Sequence, residues 1–420
     1  MMDNLTHSVV GLGVGALIDR SLPAEPDQDR SRVRSRMLLV IGCLASNFPD
    51  LDLVLTPLLE RPLGYLLHHR GHTHTLLAAL GEAFVLLALV WLLWPAARGL
   101  LRGSSAARRG AVLAAGAGLL LHLGMDSLNV YGVHPFWPFD PNWYYGDLVF
   151  IIEPVFWIAF AVPLAAMVRS RVWRWLLLAP VLLVPLAAAA SGFLQWGSLA
   201  GLLVLGLLLG WIQRRMDLRH GETRAHRGRV ALAAGLAAAL LFVGVQALAL
   251  HQARAIVAAE LARIDPGERL LDTALSAYPA NPLCWSFVSV ARTGVDAAGS
   301  VHLRRGMLSI APRLSPVSHC PVRIAGPALE DAPPQIAWQA EDRQPVAALR
   351  TLAARNCHVN AWMRFARAPS LADGVATDLR WGEPGSRNFS TLSYRDLDGK
   401  ACPSPVPGWG YPRADLLSGR

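Results

Sequence analysis

The chain is poor in charge: 16% of its 420 residues are Asp, Glu, Lys or Arg, against about 25% in ordinary soluble domains. Its one lysine is Lys400, so its basic residues are otherwise arginines. The N-terminus lacks a basic stretch leading to a small-residue cleavage site, so no separate signal peptide is expected and the first apolar segments must direct insertion. There is no internal repeat and no low-complexity tract beyond Ala/Leu enrichment, so no repeat architecture is expected. The five cysteines fit no zinc-knuckle spacing.

Apolar length is what the chain has in excess. Hydrophobic residues make up 53% of it and the mean hydropathy is +0.34. A hydrocarbon core of roughly 30 Å needs about 20 apolar residues in helix. Stretches near 36–59, 75–95, 111–130, 148–168, 173–191, 193–212 and 229–251 meet that length. Residues 5–19 are shorter and Gly-rich, a weak span or a half-inserted helix. The expected fold is an all-α polytopic membrane bundle of seven to eight transmembrane helices followed by a C-terminal α+β extracytoplasmic domain. The boundary falls at 252/253, giving a transmembrane domain 1–252 and a soluble domain 253–420.

The net charge of +9 matters through its placement. Arg30, Arg32, Arg34 and Arg36 precede the 36–59 segment, and Arg98, Arg102, Arg108 and Arg109 precede 111–130. Arg169, Arg171 and Arg174 precede 173–191; Arg214, Arg215, Arg219, Arg224, Arg227 and Arg229 precede the last span. The alternate loops 131–147 and 191–195 carry no Lys or Arg. By the positive-inside rule the basic loops are cytoplasmic and the C-terminal domain lies on the far side. The arginines follow topology, so no nucleic-acid partner is expected.

Beyond about residue 252 the long apolar runs end. Residues 255–277 read as an amphipathic helix, 285–292, 301–311, 361–368, 375–381 and 389–397 as short strands, and 343–356 as a helix. Four cysteines, Cys284, Cys320, Cys357 and Cys402, fall in this part and Cys43 in a span. An even number in an oxidising compartment predicts up to two disulfides, with three pairings open.

Against this background, ionisable residues inside apolar segments stand out, because each is costly at membrane depth. HHRGHTHT carries His68, His69, His72 and His74. His69 and His74 are the candidate metal ligands, and Arg70 between them could hold an anionic oxygen bidentately. His68 and His72 are assigned supporting or solvent-facing places. Asp50 and Asp52 interrupt another apolar segment after Asn47 and Pro49. On a regular helix they would point about 200° apart, but Pro49 breaks helical continuity and Asn47 could cap a new half-helix, turning both carboxylates to one site. His122 and Asp126, one helical turn apart, share a face that Asn129 extends, and form a bidentate metal module suited to zinc or manganese. His7 in NLTHS is a further candidate ligand. Under the topology above, all four segments place these residues in the outer half of the membrane. Asp147 and Glu153 in the aromatic stretch 131–157 are lesser candidates.

NLTHS, FPDLD, HRGHTHT and HLGMDSLNVYG followed by FIIEP occur in this order over roughly residues 1–157. In these motifs the chain resembles a family of bacterial inner-membrane proteins that includes YdjM, described as metal-dependent hydrolases and as LexA-binding membrane-associated hydrolases. The resemblance implies His7, Asp50, Asp52, His69, His74, His122 and Asp126 as the functional set. Glu153 and Thr75 stand where it leads one to expect Asp and Ser.

These readings predict a bacterial inner-membrane hydrolase. Its divalent metal, zinc first and manganese second, would activate water against an ester or phosphoester. Asp50 or Asp52 would act as ligand or base, and Arg70 would neutralise phosphate charge. A site at headgroup depth favours a membrane lipid or lipid-linked substrate. The alternative is a non-enzymatic metal or ion translocator, or a regulatory or structural membrane protein. A translocator should carry polar residues through the full membrane depth, and the cytoplasmic halves of the spans are uniformly apolar.

Overall fold

The computed structural model describes residues 3–220, 228–294, 298–321 and 333–417. Arg224 and Arg227 of the last basic loop lie outside the described residues. The chain forms two compact units: Met1–Leu51, Thr73–Asn129 and Phe150–Val245 make the first, and Asp52–His72, Val130–Val149 and Gln246–Arg420 the second. The second thus takes in residues 52–72 and 130–149, which the expected 252/253 boundary assigns to the transmembrane domain.

The first unit is helical. Its elements are α1 (Asn4–Ser21), α2 (Gln28–Ala45), α4 (Leu76–Leu93), α5 (Pro95–Gly103), α6 (Ser105–Ser127), α7 (Pro154–Met167), α8 (Arg171–Ala190), α9 (Trp196–His220) and α10 (Arg229–Ile264), which runs on into the second unit; α3 (Leu63–His68) belongs to the second. Among the described residues five helices, α4, α6, α8, α9 and α10, are long and apolar enough to cross a membrane. A sixth span results if α2 and the 3-10 turn Pro49–Leu58, bent by 55°, are taken as one. The expected 148–168 span contains the 14-residue α7 alone, because Glu153 and Pro154 start the helix late. The 18-residue α1 is not among the helices apolar enough to cross.

Small residues set how closely these helices pack. A Cβ on Gly11 or Gly15 of α1 would stand 2.4 Å from the carbonyl oxygen of Gly42 or Leu38 on α2. One on Gly118 of α6 would stand 2.6 Å from the Ala45 Cβ. Such seams bring helix backbones together in a membrane bundle. His7 lies four residues before Gly11, and His122 and Asp126 lie four and eight after Gly118, so both polar faces continue the two seams.

The second unit is α+β. Strands β1 (Arg269–Tyr278), β2 (Asn281–Thr293), β3 (Ser300–Ser309) and β4 (Ile336–Pro345) form an antiparallel sheet in the order β1-β2-β3-β4. Helices α11 (Val346–Arg355) and α12 (Cys357–Trp362) follow, then the hairpin β5 (Pro369–Ala372) and β6 (Val375–Asp378), and a last turn of helix α13 (Ala414–Leu417). Disulfides join Cys284 to Cys320 and Cys357 to Cys402, leaving Cys43 free. Three local expectations fail here. Residues 265–277 leave the helix for β1 because Asp265, Pro266 and Gly267 end α10. Residues 361–368 are the end of α12 and a turn, since the Asn356 side chain caps that helix by accepting from His358 and Val359 N–H. Residues 389–397 hold one bridge, Ala376 to Leu392, and a 3-10 turn, not a strand.

Residues 52–72 and 130–149 are tied into this unit by side-chain to backbone bonds. Trp409 Nε1 donates to Leu67 O (2.7 Å), Trp143 Nε1 to Arg364 O (2.6 Å) and Arg380 Nη1 to Val130 O (2.8 Å). Arg367 grips Asp147 with both terminal nitrogens (2.7 and 2.9 Å) and Asp272 with Nε and Nη2 (2.7 and 3.1 Å). Burial alone would push the Asp272 carboxyl up, but the Arg367 charge and hydrogen bonds, with Arg413, hold it below its usual value.

Candidate metal centre

The first unit gathers four ligand atoms from three segments. Asp50, His74, His122 and Asp126 are buried and each offers one ligand atom, all within 4.8 Å of one another. His74 Nε2 stands 3.4 Å from Asp50 Oδ1 and 3.4 Å from Asp126 Oδ2. His122 Nε2 stands 3.7 Å from each of the same oxygens. Ligands bound tetrahedrally at about 2.0–2.2 Å lie roughly 3.3–3.6 Å from one another; the two His74 edges fall in that range and the two His122 edges lie just above it. The Nε2–Nε2 edge between His74 and His122 is shorter, 3.0 Å, and also fits a hydrogen bond.

Local structure explains how each donor arrives. α2 ends at Ala45, and Ser46 through Phe48 turn the chain into the 3-10 segment Pro49–Val54, which carries Asp50. Asn47 does not cap a new half-helix. Its Nδ2 reaches back to Cys43 O (2.8 Å) and across to Ser8 Oγ (3.1 Å). The break leaves the Ser46 carbonyl to accept from His122 Nδ1 at 2.7 Å. A carbonyl only accepts, so the proton sits on Nδ1 and the Nε2 lone pair of neutral His122 faces the cluster, the tautomer a metal ligand needs. His74 lies immediately before α4, whose N-cap Thr75 accepts from Ala78 N at 3.0 Å, and its Nδ1 meets Thr73 Oγ1 at 3.0 Å. His122 and Asp126 share the inward face of α6.

The donor chemistry fits a dication. Two buried carboxylates bring two negative charges, which need compensation away from water. Two imidazoles and two carboxylates form a set suited to zinc and acceptable to manganese. His7 stands beside the four: its Nε2 is 3.3 Å from Asp126 Oδ1 and its ring stacks on His122 at 4.0 Å.

Asp52, His69 and Arg70 belong to the second unit. Asp52 Oδ1 bonds His69 Nδ1 at 2.9 Å and Oδ2 accepts from Arg70 N at 3.1 Å. His69 therefore presents Nε2, in the carboxylate–histidine arrangement that orients a ligand or a base. Arg70 is buried with φ 59° and places its guanidinium 4.9 Å from the Tyr131 ring.

The remaining candidates have structural partners. His68 Nε2 meets Pro405 O at 3.2 Å, and His72 is exposed beside Trp409. Asp147 pairs with Arg367 and Arg254 in the second unit. Glu153 caps α7 by accepting from Val155 N at 3.2 Å, and Asn129 is buried just past α6. Sequence reasoning missed the Ser46 carbonyl and the glycine seam. The GLGVG run of α1 and the Gly42 to Ser46 stretch of α2 were their visible signs.

The Bacillus subtilis (strain 168) protein YfhP, itself uncharacterized, is 27% identical over 160 residues, 38% of this chain and 44% of that protein. The match spans less than half of that relative's length. No solved structure matches the chain. Residues 2–195, which contain all four donors, match the model of the family described as YdjM inner membrane protein, so this part of the chain is similar to that family.

Proposed function

We propose that this protein is a membrane-embedded metal-dependent hydrolase acting on an ester or phosphoester of a lipid or lipid-linked substrate. The observation that carries the reading is the four-donor cluster Asp50, His74, His122 and Asp126, buried among membrane helices with a lone pair of His122 turned inward. A divalent ion held there supplies a water of lowered pKa and a Lewis acid. The chain's own residues do the rest. Ser46 and Thr73 orient the imidazoles, and His7 holds Asp126. In the same reading α1 and α7 complete the bundle to seven or eight spans, and the arginine-poor loops with residues 253–420 face the extracytoplasmic side.

Metal analysis of the purified full chain, with anomalous scattering at the absorption edge, tests the centre. One bound zinc or manganese between Asp50, His74, His122 and Asp126 is the expected result. Protein without metal, or with metal elsewhere, would sink the hydrolase reading.

A further inference from the structure

In the first unit, α2, the turn after it and α4 enclose a cavity of about 540 Å³. Leu44, Phe48 and Leu51 form one wall, Leu86 and Val90 the floor, and Asn47 is the polar member of the lining. Leu86 and Val90 are buried, whereas Leu44, Leu51 and Leu89 are 47%, 53% and 41% exposed, so the cavity is an apolar floor with an open side. α4 is long and apolar enough to cross a membrane, and an open apolar side on such a helix suits contact with hydrocarbon.

The wall is continuous with the metal centre. Leu51 N bonds Phe48 O at 3.1 Å, and at three residues per turn these two side chains share one ridge. Asp50, between them in the chain, points off that ridge toward His74 and His122. One turn of backbone therefore lines the groove on one side and supplies a donor on the other.

We propose that this groove holds one hydrocarbon chain of the substrate lipid while its ester or phosphoester head reaches the Asp50 centre. The substrate enters sideways from the bilayer between α2 and α4, and Leu44, Leu86, Leu89 and Val90 select the chain. The proposal rests on the hydrolase reading.

The full chain in nanodiscs of phosphatidylglycerol, with a diazirine on one acyl chain, tests it by photolabelling and peptide mapping, with metal content measured in parallel. Label should concentrate on residues 40–51 and 86–94. Leu44→Trp, and separately Leu89→Trp, fill the groove from exposed positions. Each should cut that label to the level of the bilayer-facing side of α8 while bound metal stays unchanged. Label spread evenly over all spans, or unmoved by both substitutions with metal intact, overturns the groove and leaves the hydrolase reading standing. Groove labelling in a wild-type protein that binds no metal overturns the substrate role together with the hydrolase reading.

Discussion

Gly118 offers the sharpest test of the idea that helix packing builds the metal centre, because it can be perturbed without touching a ligand. A Cβ at this position would stand 2.6 Å from Ala45 Cβ and 3.1 Å from Gly42 O and Ser46 N. Carbon atoms pack at about 3.5–4.0 Å, so Gly118→Ala forces α6 and α2 apart by roughly 1 Å. The bond from His122 Nδ1 to Ser46 O would stretch from 2.7 Å to about 3.7 Å, beyond hydrogen-bonding range. Metal sites tolerate only about 0.2 Å of displacement, so His122 and Asp126 would leave the shell that Asp50 anchors. The helix-propensity gain of about 1 kcal/mol from Gly to Ala works the other way, but overpacking of this kind costs about 1–3 kcal/mol. Gly116 provides the control, since a Cβ there meets nothing within 4 Å. Metal per protein by plasma mass spectrometry, with thermal unfolding in detergent, should show Gly118→Ala depleted of metal and no more stable, and Gly116→Ala unchanged in metal. Wild-type metal content and stability in Gly118→Ala would refute the account.

Removing a donor should act more strongly. His122→Ala and Asp126→Asn are each expected to lower metal affinity by at least the ~10–100-fold typical of losing a supporting group, measured by competition with a chelator, with insertion intact by membrane fractionation. Thiol counting under denaturing, non-reducing conditions should find one free thiol, Cys43. Opening the 45-residue Cys357–Cys402 separation by Cys357→Ser should cost about 4 kcal/mol in the chain-entropy account, read by denaturant unfolding. Asp272, held below its usual value by Arg367, stabilises the fold above its unfolded pKa of about 3.9, and that contribution is lost as pH falls through the lower folded value. Asp272→Asn should therefore lose stability at neutral pH and show a flatter acid limb, and an unchanged acid limb would count against the Arg367 account. A reporter active only outside the cytoplasm should be active when fused after residue 255 and silent near residue 105. The reverse would invert the proposed topology.

The membrane class was legible in the sequence, because apolar length and arginine placement are summed properties that no particular packing can hide. The donor-bearing segments were legible for a related reason: an imidazole or carboxylate inside an apolar run is expensive wherever the helix goes, so Asp50, His74, His122 and Asp126 stood out singly. The four strands of the larger sheet were less so. β2 and β3 followed their alternation, while residues 361–368 alternate as well and still became the end of α12 and a turn, because the Asn356 cap satisfied the backbone first. Tertiary structure alone decided the grouping. It placed Asp50 with His74, His122 and Asp126 in one unit and Asp52 with His69 in the other, and it turned Asp147 to Arg367 and Glu153 to the start of α7. It also set the tautomer of His122 through a carbonyl that belongs to Ser46, 76 residues away in the chain. Spacing along one helix can say which side chains share a face. Which faces meet depends on how closely Gly11, Gly15, Gly42 and Gly118 let the helices approach, and that is a property of pairs of surfaces that no single segment carries.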